Sequence, residues 1–136
     1  MWLGLPRLGG ESPTPNFHPF VLTYPSGKTL AFGLPILSRV KKEEQRYKKN
    51  DIHVLIVSPT RELAIQTHDT LTEAGSPIGI HSICLYGGVP KNEQKKALKG
   101  DKNLRIVVGT PGRLLDLVND GAVDFSKCVA FASAQW

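Results

Sequence analysis

Apolar residues along this chain follow two rhythms. Five short runs are almost continuously apolar: FVLTY (20–24), IHVLIVS (52–58), HSICLY (81–86), LRIVVGT (104–110) and KCVAFA (127–132). Runs of this length with little polar alternation predict strands covered on both faces. Between them the spacing becomes helical. Residues 27–40 set Leu30, Leu34 and Leu37 on one face, with Pro35 predicting a kink. Residues 59–75 align Leu63, Thr67 and Leu71 and stop at Gly75. Residues 90–100 form a shorter segment ending at Gly100, and 111–121 carry Leu114, Leu117 and Val118 up to Gly121. Strand and helix in alternation predict an α/β domain, a parallel sheet with flanking helices and right-handed crossovers.

A length of 136 residues suits one domain with its own core. Residues 1–19 read as an irregular segment and 20–136 as the domain. No apolar run is long enough to cross a membrane, so no membrane partner is expected. The opening MWLGLPRLGGESPTP, broken by Gly and Pro, matches neither a secretory signal nor an anchor. Cys84 and Cys128 lie far apart in apolar runs, without the close Cys/His spacing of a zinc site. They are expected to be reduced and buried, in an intracellular protein. His18, His53, His68 and His81 form no spaced pair and read as structural or solvated. The net charge of +5 permits a polyanionic partner. Part of it comes from KKEEQRYKKN (41–50), read as a solvated helix end and loop.

Two segments echo each other. SPTREL (58–63) and TPGRLL (110–115) share Ser/Thr-Pro-x-Arg-x-Leu, and each follows a strand and opens a helix. Ser58 and Thr110 are expected as N-caps, with Pro59 and Pro111 at the first helical position. Arg61 and Arg113 then fall in the first turn, where the helix dipole disfavours a cation. A bound anion resolves the conflict, because free N–H groups and a guanidinium converge there. Alternatively, proline simply starts each helix and each arginine pairs with a carboxylate. One copy alone would favour that alternative; two copies at one sheet edge favour successive phosphates of a nucleic-acid backbone. Gly87-Gly88 in YGGVP (86–90) reads either as a turn or as a place where a backbone comes close. LTYPSGKTLAF (22–32) ends like a phosphate-binding loop at Gly27-Lys28-Thr29, but Leu22 stands where the opening glycine belongs.

PTRELA (59–64), YGG (86–88) and TPGR (110–113), following GKTLAFGLP, resemble the first RecA-like domain of a DEAD-box ATP-dependent RNA helicase over about residues 27–131. SICLYGG and GTPGRLLDL are similar to the branch involved in ribosome biogenesis. The resemblance implies a P-loop NTPase fold of the RecA-like type, truncated at both ends, and an intracellular, nuclear or nucleolar protein. It implies binding of single-stranded RNA along its backbone by Pro59, Thr60, Arg61, Gly87, Gly88, Thr110, Gly112 and Arg113. It also implies ATP phosphates held at Ser26, Gly27, Lys28 and Thr29, with Thr29 a weak magnesium ligand.

Several positions depart from the family pattern. Its loop reads A-x-x-G-x-G-K-T; here Leu22 replaces the Ala and Pro25 the first Gly. Proline offers a phosphate no N–H and cannot adopt positive φ. SPTPNF (12–17) resembles the adenine-reading PTPIQ, but Asn16 and Phe17 replace Ile and Gln. Ala134 and Gln135 occupy the first two acidic positions of the D-E-A-D, so no catalytic acid pair is intact. The second RecA-like domain, which supplies the family's arginine finger, is not in this sequence. The expectation is therefore a fragment of an ATP-dependent RNA helicase, an ATP hydrolase by family but inactive alone, with impaired ATP and Mg2+ binding. Two alternatives are a non-catalytic single-stranded RNA-binding module and a non-functional misassembled product.

Overall fold

The computed structural model describes residues 2–3, 20–25, 29–46, 48, 51–128 and 130–135. Among these, five strands run parallel: β2 (Phe20–Pro25), β3 (Val54–Val57), β4 (His81–Leu85), β5 (Leu104–Gly109) and β6 (Ala130–Gln135). A two-residue strand, β1 (Trp2–Leu3), pairs antiparallel with β2, inside a segment expected to be irregular. The order across the sheet is β1-β2-β6-β3-β5-β4. Each parallel strand needs a crossover, and α1 (Thr29–Glu43), α2 (Arg61–Gly75), α3 (Lys91–Gly100) and α4 (Pro111–Asn119) provide them.

The continuous apolar runs divide between two cores. Val54 and Ile56 of β3, with Ile106 and Val108 of β5, pack with α1 and α2. Leu55 and Val107, one position along, pack with Leu98 of α3 and with Leu114 and Leu117 of α4. Side chains alternate faces along a strand, so a strand buried on both faces loses its polar positions.

Four expectations need correction. Among the described residues, the buried face of α1 is Gly33, Ile36, Leu37 and Val40, whereas Leu34 is 59% exposed. Gly33 turns this face inward because it lets Leu71 come close: a Cβ there would lie 3.2 Å from the Leu71 Cδ2. The Leu30 side chain lies outside the described residues. In α2, the N-cap is Thr60 rather than Ser58, with Leu63 N donating to Thr60 Oγ1 at 3.3 Å. Pro59 therefore precedes the N-cap instead of opening the helix. Ser58 stays with the sheet, its N–H donating to the Gly109 carbonyl at 2.9 Å. The helix does end at Gly75, as expected, but not by left-handed geometry, since the Gly75 φ is −90°. Gly75 is needed because a Cβ would sit 2.7 Å from the Ile80 carbonyl oxygen. The left-handed residue is Gly79 (φ 75°), after a 3-10 turn at Ser76–Ile78. In α4, Leu114 and Leu117 are buried but Val118 is exposed.

Several other expected features are present. Thr110 is the N-cap of α4 and Pro111 its first residue. Leu63, Thr67 and Leu71 are buried in line. In the charged run at the end of α1, Lys41, Lys42, Gln45 and Lys48 are exposed among the described residues, and Lys41 pairs with Glu44 at 2.9 Å. Cys84 and Cys128 are free thiols, but only Cys128 is buried as expected; Cys84 is half-buried. Burial pushes them up to about 11 and about 12. His68 Nδ1 meets Ser82 Oγ at 2.9 Å and His81 Nδ1 meets Asp101 Oδ2 at 2.7 Å, while His53 is fully buried. His18 lies outside the described residues. Among the described residues, no helix is long and apolar enough to cross a membrane.

Candidate nucleic-acid interface

Parallel strands place their carboxyl ends on one edge, and there the repeated motifs meet. Gly109 of β5 pairs with Val57 of β3 on one side and Leu85 of β4 on the other. The segments that follow, Ser58–Arg61, Tyr86–Gly88 and Thr110–Arg113, are therefore neighbours. Two backbone bonds extend the sheet into this edge: Ser58 N to Gly109 O (2.9 Å) and Thr110 N to Leu85 O (3.0 Å). Gly109 permits this approach, since a Cβ there would lie 2.6 Å from the Leu85 carbonyl oxygen and 2.8 Å from the Leu114 side chain.

Arg61 is the first residue of α2 and is exposed. Its guanidinium carbon lies 4.6 Å from the ring centroid of Tyr86, a cation–π contact. Its Nη1 lies 3.8 Å from where a Cβ on Gly88 would project. Gly88 has φ 83°, the left-handed region, so it is a turn glycine that also leaves space beside Arg61. A Cβ on Gly87 would meet nothing within 4 Å.

Arg113, in the first turn of α4, is half-buried. Its Nη1 donates to the Val89 carbonyl at 3.0 Å and to Gln94 Oε1 at 2.9 Å. Gln94 Nε2 in turn donates to the Tyr86 carbonyl at 3.1 Å. Among the described residues, neither Arg61 nor Arg113 is ion-paired with a carboxylate. Two guanidiniums thus stand beside helix N-termini whose first N–H groups and dipole are also positive. The Thr110 side chain makes no capping bond, while Thr60 Oγ1 is engaged by Leu63 N. Pro59 and Gly112 are exposed, and nothing lies within 4 Å of a Cβ placed on Gly112.

Behind this edge, charge pairs dock α3 against α4. Lys91 reaches Asp116 at 3.1 Å and Asp120 at 2.7 Å, and Lys95 reaches Asp120 at 2.9 Å. Hydrogen bonds from Lys91 and then Lys95 hold the Asp120 carboxyl down at about 2.

Tyr86 and Gln94 carry the geometry and were not singled out by sequence. The available signal was the place of Gln94 in α3: it shares the inward side with Leu98, four residues on. A polar residue on an inward face must find partners there.

The nucleotide-binding positions are described only in part. Ser26, Gly27 and Lys28 lie outside the described residues, as do Asn16, Phe17 and the Thr29 side chain. Thr29 opens α1. Pro25 is the last residue of β2, opposite Gln135 of β6, with Tyr24 opposite Ala134. Pro25 and the Ala134–Gln135 pair, departures from two different motifs, are thus side by side on adjacent strand ends.

The family model described as DEAD/DEAH box helicase matches residues 24–132. The ATP-dependent RNA helicase DBP3 of Saccharomyces cerevisiae is 49% identical over 102 residues, 75% of this chain and 18% of its own length. DBP3 of Mycosarcoma maydis is 47% identical over 108 residues, covering 74% of this chain and 18% of itself. DEAD-box ATP-dependent RNA helicase 5 of Oryza sativa is 53% identical over 98 residues, covering 71% and 19%. The chain spans about a fifth of the length of these curated relatives. Among solved structures, S. cerevisiae Dbp5 bound to RNA and ADP BeF3 superposes with a TM-score of 0.64 at 30% identity, over 88% of this chain and 28% of that one. A hypothetical ATP-dependent RNA helicase from Sulfolobus tokodaii gives 0.65 at 25% identity, over 85% and 40%. The α/β sheet is of the RecA-like type seen in such helicases, and the chain belongs to the DEAD/DEAH box helicase family.

Proposed function

We propose that this chain is part of the first RecA-like domain of an ATP-dependent RNA helicase, and that by itself it grips single-stranded RNA without hydrolysing ATP. One observation carries the RNA reading: two arginines that have no carboxylate partner among the described residues stand at neighbouring helix starts on one sheet edge, beside the Gly87–Gly88 turn. A guanidinium and free N–H groups suit phosphate, and backbone contacts carry no sequence information. Arg61 and Arg113 supply charge in this reading. Thr60 and Thr110 set the helix starts, and Pro59, Gly87, Gly88 and Gly112 give an open surface along which a strand can lie. That the RNA-bound Dbp5 structure shares this fold is consistent with it.

Membership of the family implies ATP and a divalent metal, yet the donor set here does not fit them. Pro25 has no N–H for a phosphate, and Ala134 and Gln135 offer no carboxylate to a metal or an attacking water. We therefore assign no hydrolytic step to these residues. By the resemblance of SICLYGG and GTPGRLLDL to the ribosome-biogenesis branch, we propose a place inside the cell, in the nucleus or nucleolus; a fluorescent fusion tests this.

Fluorescence anisotropy with labelled single strands of several unrelated sequences tests the RNA reading. Wild type should bind all of them similarly, and Arg61→Ala or Arg113→Ala should weaken each by about fivefold, roughly one charge-assisted contact. Unchanged affinity, or loss confined to one sequence, contradicts it.

A further inference from the structure

We propose that Gln94 is a positioning residue for RNA-backbone recognition: its buried amide joins the two arginine-bearing helix starts and the Gly87–Gly88 turn into one preset unit. The inference rests on the RNA reading above. Gln94 is 7% exposed, so it does not itself meet a ligand. A buried amide is costly unless both ends are bonded, and both are. Oε1 accepts from Arg113 Nη1 at 2.9 Å, and Nε2 donates to the Tyr86 carbonyl at 3.1 Å. Glutamate keeps the acceptor but not the donor; methionine keeps the volume and neither.

The consequence falls on Arg113. A guanidinium has two N–H groups on each Nη and one on Nε. The Nη1 pair is engaged, one by Val89 O and one by Gln94 Oε1. That fixes the plane of the fork and, among the described residues, leaves Nη2 and Nε for phosphate. At the other end, Tyr86 carries Arg61 over its ring at 4.6 Å. A continuous path therefore runs from Arg61 through Tyr86 and Gln94 to Arg113. It sets the separation of the two charges before RNA arrives, which lowers the ordering cost of binding.

A double-mutant cycle on the full chain tests this by anisotropy, with thermal unfolding as the fold check. Gln94→Met should weaken RNA binding by about fivefold, the scale of one lost contact. On a Gln94→Met background, Arg113→Ala should add less than about twofold, because the fork, then held by the Val89 carbonyl alone, no longer has a fixed plane. A merely structural role would make the two losses multiply. Nitrogen-15 NMR of the Arg113 side chain gives a readout independent of RNA: separate Nη signals in wild type should average in Gln94→Met. If Gln94→Met does not fold, Gln94→Glu enters the same cycle. It sets a carboxylate against Arg113 in competition with phosphate, and its loss should likewise vanish with Arg113→Ala. If Arg113→Ala alone leaves binding unchanged, the RNA reading fails and takes the positioning role with it. If Arg113→Ala weakens binding but the Gln94 variant does not, or if the losses multiply, the RNA reading stands and the role of Gln94 is overturned.

Discussion

Gly109 and Leu85 approach so closely that a Cβ on Gly109 would lie 2.6 Å from the Leu85 carbonyl oxygen. This contact lets Thr110 N bond Leu85 O and so aligns the start of α4 with the end of β4. Neither neighbour can yield easily, since one is backbone and the other, Leu114, is buried. Gly109→Ala should cost about 2 kcal/mol, the scale of overpacking a filled core. Urea unfolding measures it; a loss below about 0.5 kcal/mol would show that the strands can part at no penalty.

His53 predicts acid sensitivity. Burial first, and the charge of Arg105 second, lower its pKa from 6.5 to about 4. The unfolded chain therefore takes up a proton at higher pH than the folded chain. Stability present above pH 6.5 should fall as pH drops towards 4, by on the order of 3 kcal/mol. Urea midpoints at pH 7.5, 6 and 4.5 test this, with His53→Leu expected to flatten the trend. An NMR titration of His53 near 6.5 in the folded protein would contradict it.

The two thiols should be unreactive in the folded state. With Cys84 raised to about 11 and Cys128 to about 12, almost no thiolate exists at pH 7.5. A disulfide reagent should label both far more slowly natively than in urea, and Cys128, fully buried, more slowly than Cys84. Equal native and unfolded rates at Cys128 would refute the packing around it.

Nucleotide chemistry should be weak or missing. Titration with a fluorescent ATP analogue should show no saturation at micromolar concentration. Phosphate release with RNA present should match a buffer control. Micromolar binding lost in Lys28→Ala, or turnover stimulated by RNA, would mean that Pro25, Ala134 and Gln135 are tolerated.

The sheet was legible in the sequence because burial on both faces removes polar positions from β3 and β5. The placement of Arg61 and Arg113 in first helical turns on one sheet edge was legible because a repeated Pro-x-Arg after a strand has a local meaning. What failed depended on contacts between distant segments. Ser58 looks like an N-cap until its N–H is seen bonded to Gly109. The inward face of α1 follows from Leu71 seating on Gly33, which spacing of leucines does not reveal. Gln94 shares the inward side of its helix with Leu98, but what it does there needs Arg113, nineteen residues on, and the Tyr86 carbonyl.

The salt dependence of RNA binding tests the central claim most directly. Each phosphate contact to a single strand releases counterions and contributes about 0.7 to the slope of log affinity against log salt. Arg61→Ala and Arg113→Ala should each flatten the slope by about 0.7, and the double variant by about 1.4. Lys41 is the control. It lies in the last turn of α1, at the end away from the carboxyl edge, bonded to Glu44 and the Ile78 carbonyl. Lys41→Ala should leave the slope unchanged. Equal flattening by all three substitutions would mean that net charge alone attracts RNA. No flattening by either arginine would mean that no phosphate track exists at this edge.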